Sequence, residues 1–171
     1  MLIGFIAGLI SGVISTLLGY IILSLSKPKI KISEKIAKLS INGVNEYRFK
    51  VVNLSPHYAK NIKILFDMMT IENGNDGNIL STKPIPIVRK DIAFIEPYNK
   101  NDKDAQYAVR FKINGDLEEI WKDDGYSFLR LKVYCENEFN NSGKLFIKDY
   151  KKRRIAITQG DFNFGKSLEI Q

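Results

Sequence analysis

His57 and Cys135 are the only histidine and the only cysteine of this chain. A metal site draws on several such ligands. Neither residue has a partner of its own kind, and His57 sits in the turn Leu54-Ser55-Pro56-His57-Tyr58. An activated nucleophile needs a base within hydrogen-bond reach, and no serine or cysteine setting of that kind surrounds His57. Cys135 alternates with apolar residues, which predicts a buried and inert thiol. Asn73-Gly74-Asn75-Asp76-Gly77-Asn78 has the rhythm of a calcium loop, but its twelfth position is Pro84 where a bidentate glutamate is required. A hairpin loop is the expectation there. The acids Asp116, Glu118, Glu119, Asp123 and Asp124 are read as surface charge. No G-x-x-x-x-G-K-[ST], no G-x-G-x-x-G after a strand and no G-x-S-x-G occurs. These features argue against a nucleotide-dependent enzyme or a hydrolase, and no catalytic residue, metal or cofactor is assigned.

Cations carry the remaining chemistry. The chain has 26 Lys and Arg against 19 Asp and Glu, a net charge of +7. Such a balance speaks to partners, not to fold. The densest run is Lys148-Asp149-Tyr150-Lys151-Lys152-Arg153-Arg154. Lys148, Lys151, Lys152, Arg153 and Arg154 are the candidate contacts for an anionic partner, either lipid or protein. Nucleic acid ranks last among the partners, and a solvated edge strand is the simplest alternative.

A second set of lysines follows an uncharged stretch. Residues 1–26 contain no charged side chain, and Lys27, Lys29, Lys31, Lys35 and Lys38 come directly after. A run of this length is enough to span a hydrocarbon core as a helix. A secretory signal would have a basic start and a shorter apolar core. The expectation is a retained transmembrane anchor over 1–26. Positive residues stay on the cytoplasmic side, so the amino terminus is expected outside and the rest of the chain in the cytoplasm. The same lysines would attract anionic headgroups. Gly4, Gly8 and Gly12, continued by Gly19, form a small-residue face on which a second helix could pack, so the expected partner is either a second copy, in a homo-oligomer, or another membrane or cytoplasmic protein.

Residues 27–171 form the other expected unit. Period-two alternation marks half-buried strands at Ile30 and Ile32, at Tyr47, Phe49 and Val51, and at Ile62 and Ile64. It recurs from Tyr107 to Ile113 and from Leu129 to Cys135, and Leu145–Ile155 is a last long candidate. Turn pairs such as Asn42-Gly43, Asn114-Gly115 and Ser142-Gly143 fall between them. Asp116 to Lys122 alone reads as helical, with Asp116 at the N-cap and Trp121 as a core plug. The fold class is therefore mainly β: an antiparallel sandwich, or a small barrel, behind one amino-terminal helix. A lone cysteine makes no internal disulfide, in keeping with a cytoplasmic domain.

Two stretches carry a resemblance. Tyr47-Arg48-Phe49-Lys50-Val51-Val52-Asn53-Leu54-Ser55, followed by Ala59-Lys60-Asn61-Ile62-Lys63-Ile64, resembles the second and third strands of immunoglobulin-like or fibronectin-like bacterial sandwiches. Leu129 to Tyr150, ending near Gly160-Asp161-Phe162, is similar to the carboxy-terminal part of small uncharacterised bacterial proteins with one amino-terminal span. The resemblance implies a sandwich, an anchor and a prokaryotic source; it implies no activity. The expected function is a membrane-anchored, non-catalytic binding or scaffolding module. Two alternatives stand beside it: a ligand-sensing effector, for example in anti-phage defence, that oligomerises and disrupts the membrane, and an extracytoplasmic receptor or adhesin.

Overall fold

The computed structural model describes residues 2–25, 27–74, 77–122 and 124–171. It opens with helix α1 (Leu2–Leu25), whose sequence is uncharged throughout. The Thr16 hydroxyl donates to the Gly12 carbonyl at 2.8 Å, the back-bonding that lets a hydroxyl sit on an apolar helix. Among the described residues no helix is long and apolar enough to cross a membrane. The membrane crossing expected for residues 1–26 is thus not seen among the described residues.

Among the described residues ten strands follow, in two five-stranded sheets. The first sheet holds β1 (Ile30–Ile32), β2 (Ile36–Ile41), β3 (Val44–Asn53), β7 (Ala108–Ile113) and β10 (Ile157–Gln159). β3 is its spine. Val51–Asn53 pair with β1 and Val44–Arg48 region residues pair with β2, while β7 pairs along Tyr47–Val52. β1 and β2 therefore share one side of β3, and β7 takes the other. Asn42 and Gly43 both have positive φ, 53° and 79°, the geometry of the tight turn that joins twisted antiparallel strands. The second sheet holds β4 (Ala59–Gly74), β5 (Gly77–Pro84), β6 (Asp91–Ile95), β8 (Ser127–Asn137) and β9 (Gly143–Tyr150). β5 and β6 divide one edge of β4, and β8 lies on the other. Gly74 pairs with Gly77, so the calcium-like stretch closes a hairpin, with Asn75 and Asp76 outside the described residues.

The core lies between the sheets. Phe49 stacks on Phe111 at 5.3 Å and meets Phe66 of the other sheet at 5.9 Å; Tyr150 packs edge-on to Phe66. Trp121 is fully buried and its Nε1–H donates to the Ser127 carbonyl. Buried aromatic rings of this size dominate the energetics of a small domain.

Three expectations change. The strand expected over Leu145–Ile155 ends at Tyr150, and Arg153–Ala156 forms a single helical turn, α3. Pairing is not wholly antiparallel, because β10 runs parallel to β2. Asp116 is no free surface acid. It caps α2 (Leu117–Ile120) by accepting the Glu118 N–H at 2.8 Å and takes the Tyr47 hydroxyl at 2.7 Å. That hydroxyl, with the cap, holds the carboxyl below the usual carboxylate range against the opposing effect of burial. The thiol of Cys135 is buried as expected, and desolvation pushes it up to about 12.

Candidate functional site

Turns in the backbone bring the two basic stretches together. The β1–β2 bend carries Glu34 and Lys35. The exit of β9 carries Lys151 and Lys152, and Tyr150 ties the two by donating its hydroxyl to the Ser33 carbonyl at 2.9 Å. Between them lies a cleft of about 440 Å³ lined by Glu34, Lys35, Asp149, Tyr150, Lys151, Lys152, Ile155 and Ala156. Its floor is apolar, and Ile155 is 66% exposed. Both acids in the lining are neutralised locally. Glu34 pairs with Lys148, and Asp149 takes a two-pronged bond from Arg130 at 2.8 Å on each arm. That bond and its charge hold the Asp149 carboxyl low. Lys35, Lys151 and Lys152 are exposed and make no ion pair among the described residues. The cleft thus presents three cations over an apolar floor.

The remaining candidates divide. Lys148 is consumed by Glu34. Arg153 donates to the carbonyls of Glu118 and Trp121 at 2.9 and 3.0 Å, so it pins α3 to α2 rather than facing a partner. Arg154 is exposed but engaged. Lys38 pairs with Glu118. Lys27, Lys29 and Lys31 are exposed, on the segment that leads into β1. Gly4, Gly8, Gly12 and Gly19 are separate from all of these; a Cβ built on any of them meets no atom of the described residues beyond its own stretch of helix within 4 Å.

A second cleft escaped the sequence. It spans about 480 Å³ and includes Lys50, Ala105, Arg110, Phe164 and Gly165. Lys50 is only 2% exposed, and its ammonium donates to the carbonyls of Asn163 and Ser167 at 2.7 and 2.8 Å. Desolvation, aided by the Arg110 charge, lowers it to about 8. Alternation along β3 put Lys50 on a solvent face. The hairpin around the Phe162–Ile170 bridge, which no period-two pattern announces, covers that face.

His57 lies in its loop, half-buried, with its ring edge-on to Phe139 at 4.7 Å and its Nδ1 3.9 Å from Glu138. Among the described residues no group of three or more His, Cys, Asp or Glu side chains converges on a point where a metal could sit. No protein-family model matches the chain, and no curated protein matches it.

Proposed function

We propose that this is a membrane-tethered, non-catalytic binding module. α1 anchors it as a single pass, and an immunoglobulin-like β-sandwich presents the Lys35–Lys151–Lys152 cleft to an acidic, amphipathic segment of another protein. The observation that carries this reading is the neutralisation pattern of the cleft. Each lining acid has its own cation, the three lysines make no ion pair among the described residues, and an exposed isoleucine shares the lining with them. Unpaired surface lysines alone would be ordinary; their convergence on an apolar floor is what a segment alternating Leu with Glu would fit.

The anchor reading rests on the uncharged sequence of residues 2–25, enough for a span of about 20 residues. Lysine placement supports a cytoplasmic domain, and the open glycine face supports self-association between copies. Anionic headgroups are the natural partners of Lys27, Lys29 and Lys31.

The test uses the full chain in nanodiscs of zwitterionic lipid, titrated with a fluorescein-labelled peptide of alternating Glu and Leu. Binding should weaken with salt and fall at least tenfold in a Lys151→Glu, Lys152→Glu variant. Equal binding by that variant would remove the cleft from the function. Extraction by alkaline carbonate would remove the anchor. A cysteine at Asn101, an exposed position, labelled by impermeant maleimide in intact cells would reverse the orientation.

A further inference from the structure

The end of the domain nearest α1 is built from three pieces. Lys29 joins the first to the second: its N–H donates to the Ser55 hydroxyl at 2.9 Å and its carbonyl accepts from the Leu54 N–H at 2.7 Å. Asn53, fully buried, then ties the second piece to itself and to the end of β6. Its side-chain amide donates to the carbonyls of His57 and Glu96 at 2.8 and 2.9 Å. The third piece is the β8–β9 connection, which reaches the same end because Ala59 pairs with Asn137. His57 packs on its Phe139.

This rim is apolar where a free domain end would be polar. Phe139 is 69% exposed; Phe94, Leu54 and Tyr58 are also open to solvent, with Tyr58 edge-on to Phe94. Charge on the rim is balanced: Lys27, Lys29 and Lys60 stand with Glu96, Glu136 and Glu138, Glu136 lying directly across from Lys60. Glu138 is itself engaged, by the Tyr58 N–H through its carboxylate and by Lys60 through its carbonyl. Aromatic residues with flanking lysines are the composition of a membrane–water interface. Distance is decisive. From Leu25 to Lys29 is four residues, at most about 14 Å even fully extended. The rim therefore lies within reach of the headgroup layer of any bilayer that holds α1.

We infer that the Leu54–Tyr58 loop and the Phe139 tip insert into the headgroup region of the membrane that holds α1, fixing the domain upright instead of letting it swing. The inference rests on the anchoring reading above. The occupant of the patch is lipid because the tether is too short for the rim to avoid it. The opposite end, at Val44, stands about 30 Å away, nine strand steps along β3, and stays in water.

The test places an environment-sensitive nitrobenzoxadiazole label on single cysteines of the full chain in vesicles containing one-third phosphatidylserine. Cys135 is fully buried with a raised thiol pKa and leaves the background silent. Three sites are compared: Phe139→Cys, Val44→Cys and, within α1, Ile14→Cys. Shallow nitroxide lipid should quench the label at 139 by at least twofold, deep nitroxide lipid should quench the label at 14, and neither should affect the label at 44. Quenching at 14 with none at 139 overturns the inference and leaves the anchor standing. No quenching at 14 overturns the anchor. A blue-shifted label at 139 without lipid quenching, with energy transfer between copies, would mean a second copy covers the rim, and the inference fails. A Phe139→Asp variant labelled at Leu54→Cys, an exposed position of the same rim, supplies the control on folding: it should keep its secondary structure and lose the shallow quenching.

Discussion

The two faces of β3 are buried by opposite means. One face sends Tyr47, Phe49 and Val51 into the core between the sheets, where all three are fully buried. The other sends Arg48 and Lys50 outward, and yet Lys50 is as inaccessible as a core residue. The hairpin joined by the Phe162–Ile170 bridge covers it, receiving Lys50 on two carbonyls and Arg110 on a third, Phe162 O at 2.6 Å. Asp161 lies 3.3 Å from Arg48 and 3.7 Å from Arg110. Apolar contact closes the first face, and cation–carbonyl bonding closes the second. The difference teaches that burial alone does not identify a core. A dry face gains by excluding water over a large area, while a polar face must match each buried donor with an acceptor.

The largest effect should come from breaking the dry face. Phe49→Ala removes the ring shared by both sheets, and such truncations cost about 3–5 kcal/mol. Urea unfolding of the chain in detergent should show the midpoint falling with little change in slope. A cost under about 1 kcal/mol would mean the inner face packs no better than the outer one, and the contrast would collapse.

The polar face is sharpened by pH. Folding lowers Lys50 to about 8 from the 10.5 of an exposed lysine. Between those values the unfolded chain holds the proton and the folded chain has released it. Unfolding then takes up a proton, so stability from this group rises as pH climbs from 8 toward 10.5. The full shift is worth at most about 3 kcal/mol. Tyr47 and Tyr150 oppose it only at the top of the window, since burial raises both above 10 and the unfolded tyrosines ionise first there. Denaturation midpoints at pH 8 and 9.5 should therefore increase, and Lys50→Met should flatten the rise. A falling midpoint over that range in the parent chain would show that the carbonyl cradle stabilises the ammonium more than burial penalises it.

Gly160 tests the hairpin as a unit. Its φ is 120°, and a Cβ there would lie 2.1 Å from the Gln171 carbonyl oxygen. Backbone cannot swing aside as a side chain would. Gly160→Ala should cost about 2 kcal/mol, expressed as faster amide exchange at Asn163 and Gln171, whose bonds close the hairpin. Protection in β4 and β8 should hold. Equal loss in both places would mean that the two faces unfold together.

Much of the first face was legible in the chain, and little of the second. Alternation at Tyr47–Val51 and Leu129–Cys135 marks strands because one side meets a sheet and the other meets water. Asn42-Gly43 marks its turn because both residues tolerate positive φ. Strands β2, β5, β6 and β10 lack that signal. Ile36 and Ala37 are buried side by side, and β5 is exposed along almost its whole length. The basic run misled through Ile155: its spacing continues the alternation past Tyr150, but the chain turns into α3, where Arg153 is held by α2 carbonyls. Lys35 and Lys151 are far apart in sequence, so their shared cleft was visible only once the two sheets were closed. The rim of Leu54 and Phe139 was hidden for the same reason, since Leu54 lies in the crossover from β3 to β4 and Phe139 in the β8–β9 connection, far apart in sequence.

The smallest effect is the most discriminating for the outer face. Ala105 holds φ at 50° while buried beside Val52 and Tyr107. A left-handed backbone costs a non-glycine residue about 1–2 kcal/mol, which Ala105→Gly would relieve. Against that, glycine frees the unfolded chain by about 0.4–1 kcal/mol, and losing one buried methyl costs about 0.8 kcal/mol. The three nearly cancel, so the net change should stay within about 1 kcal/mol of zero by thermal or urea unfolding. A loss above 2 kcal/mol would mean that the methyl is gripped as tightly as Phe49 is. The small cluster around Val52 would then be a second dry core, and the outer face would owe its closure to apolar packing after all.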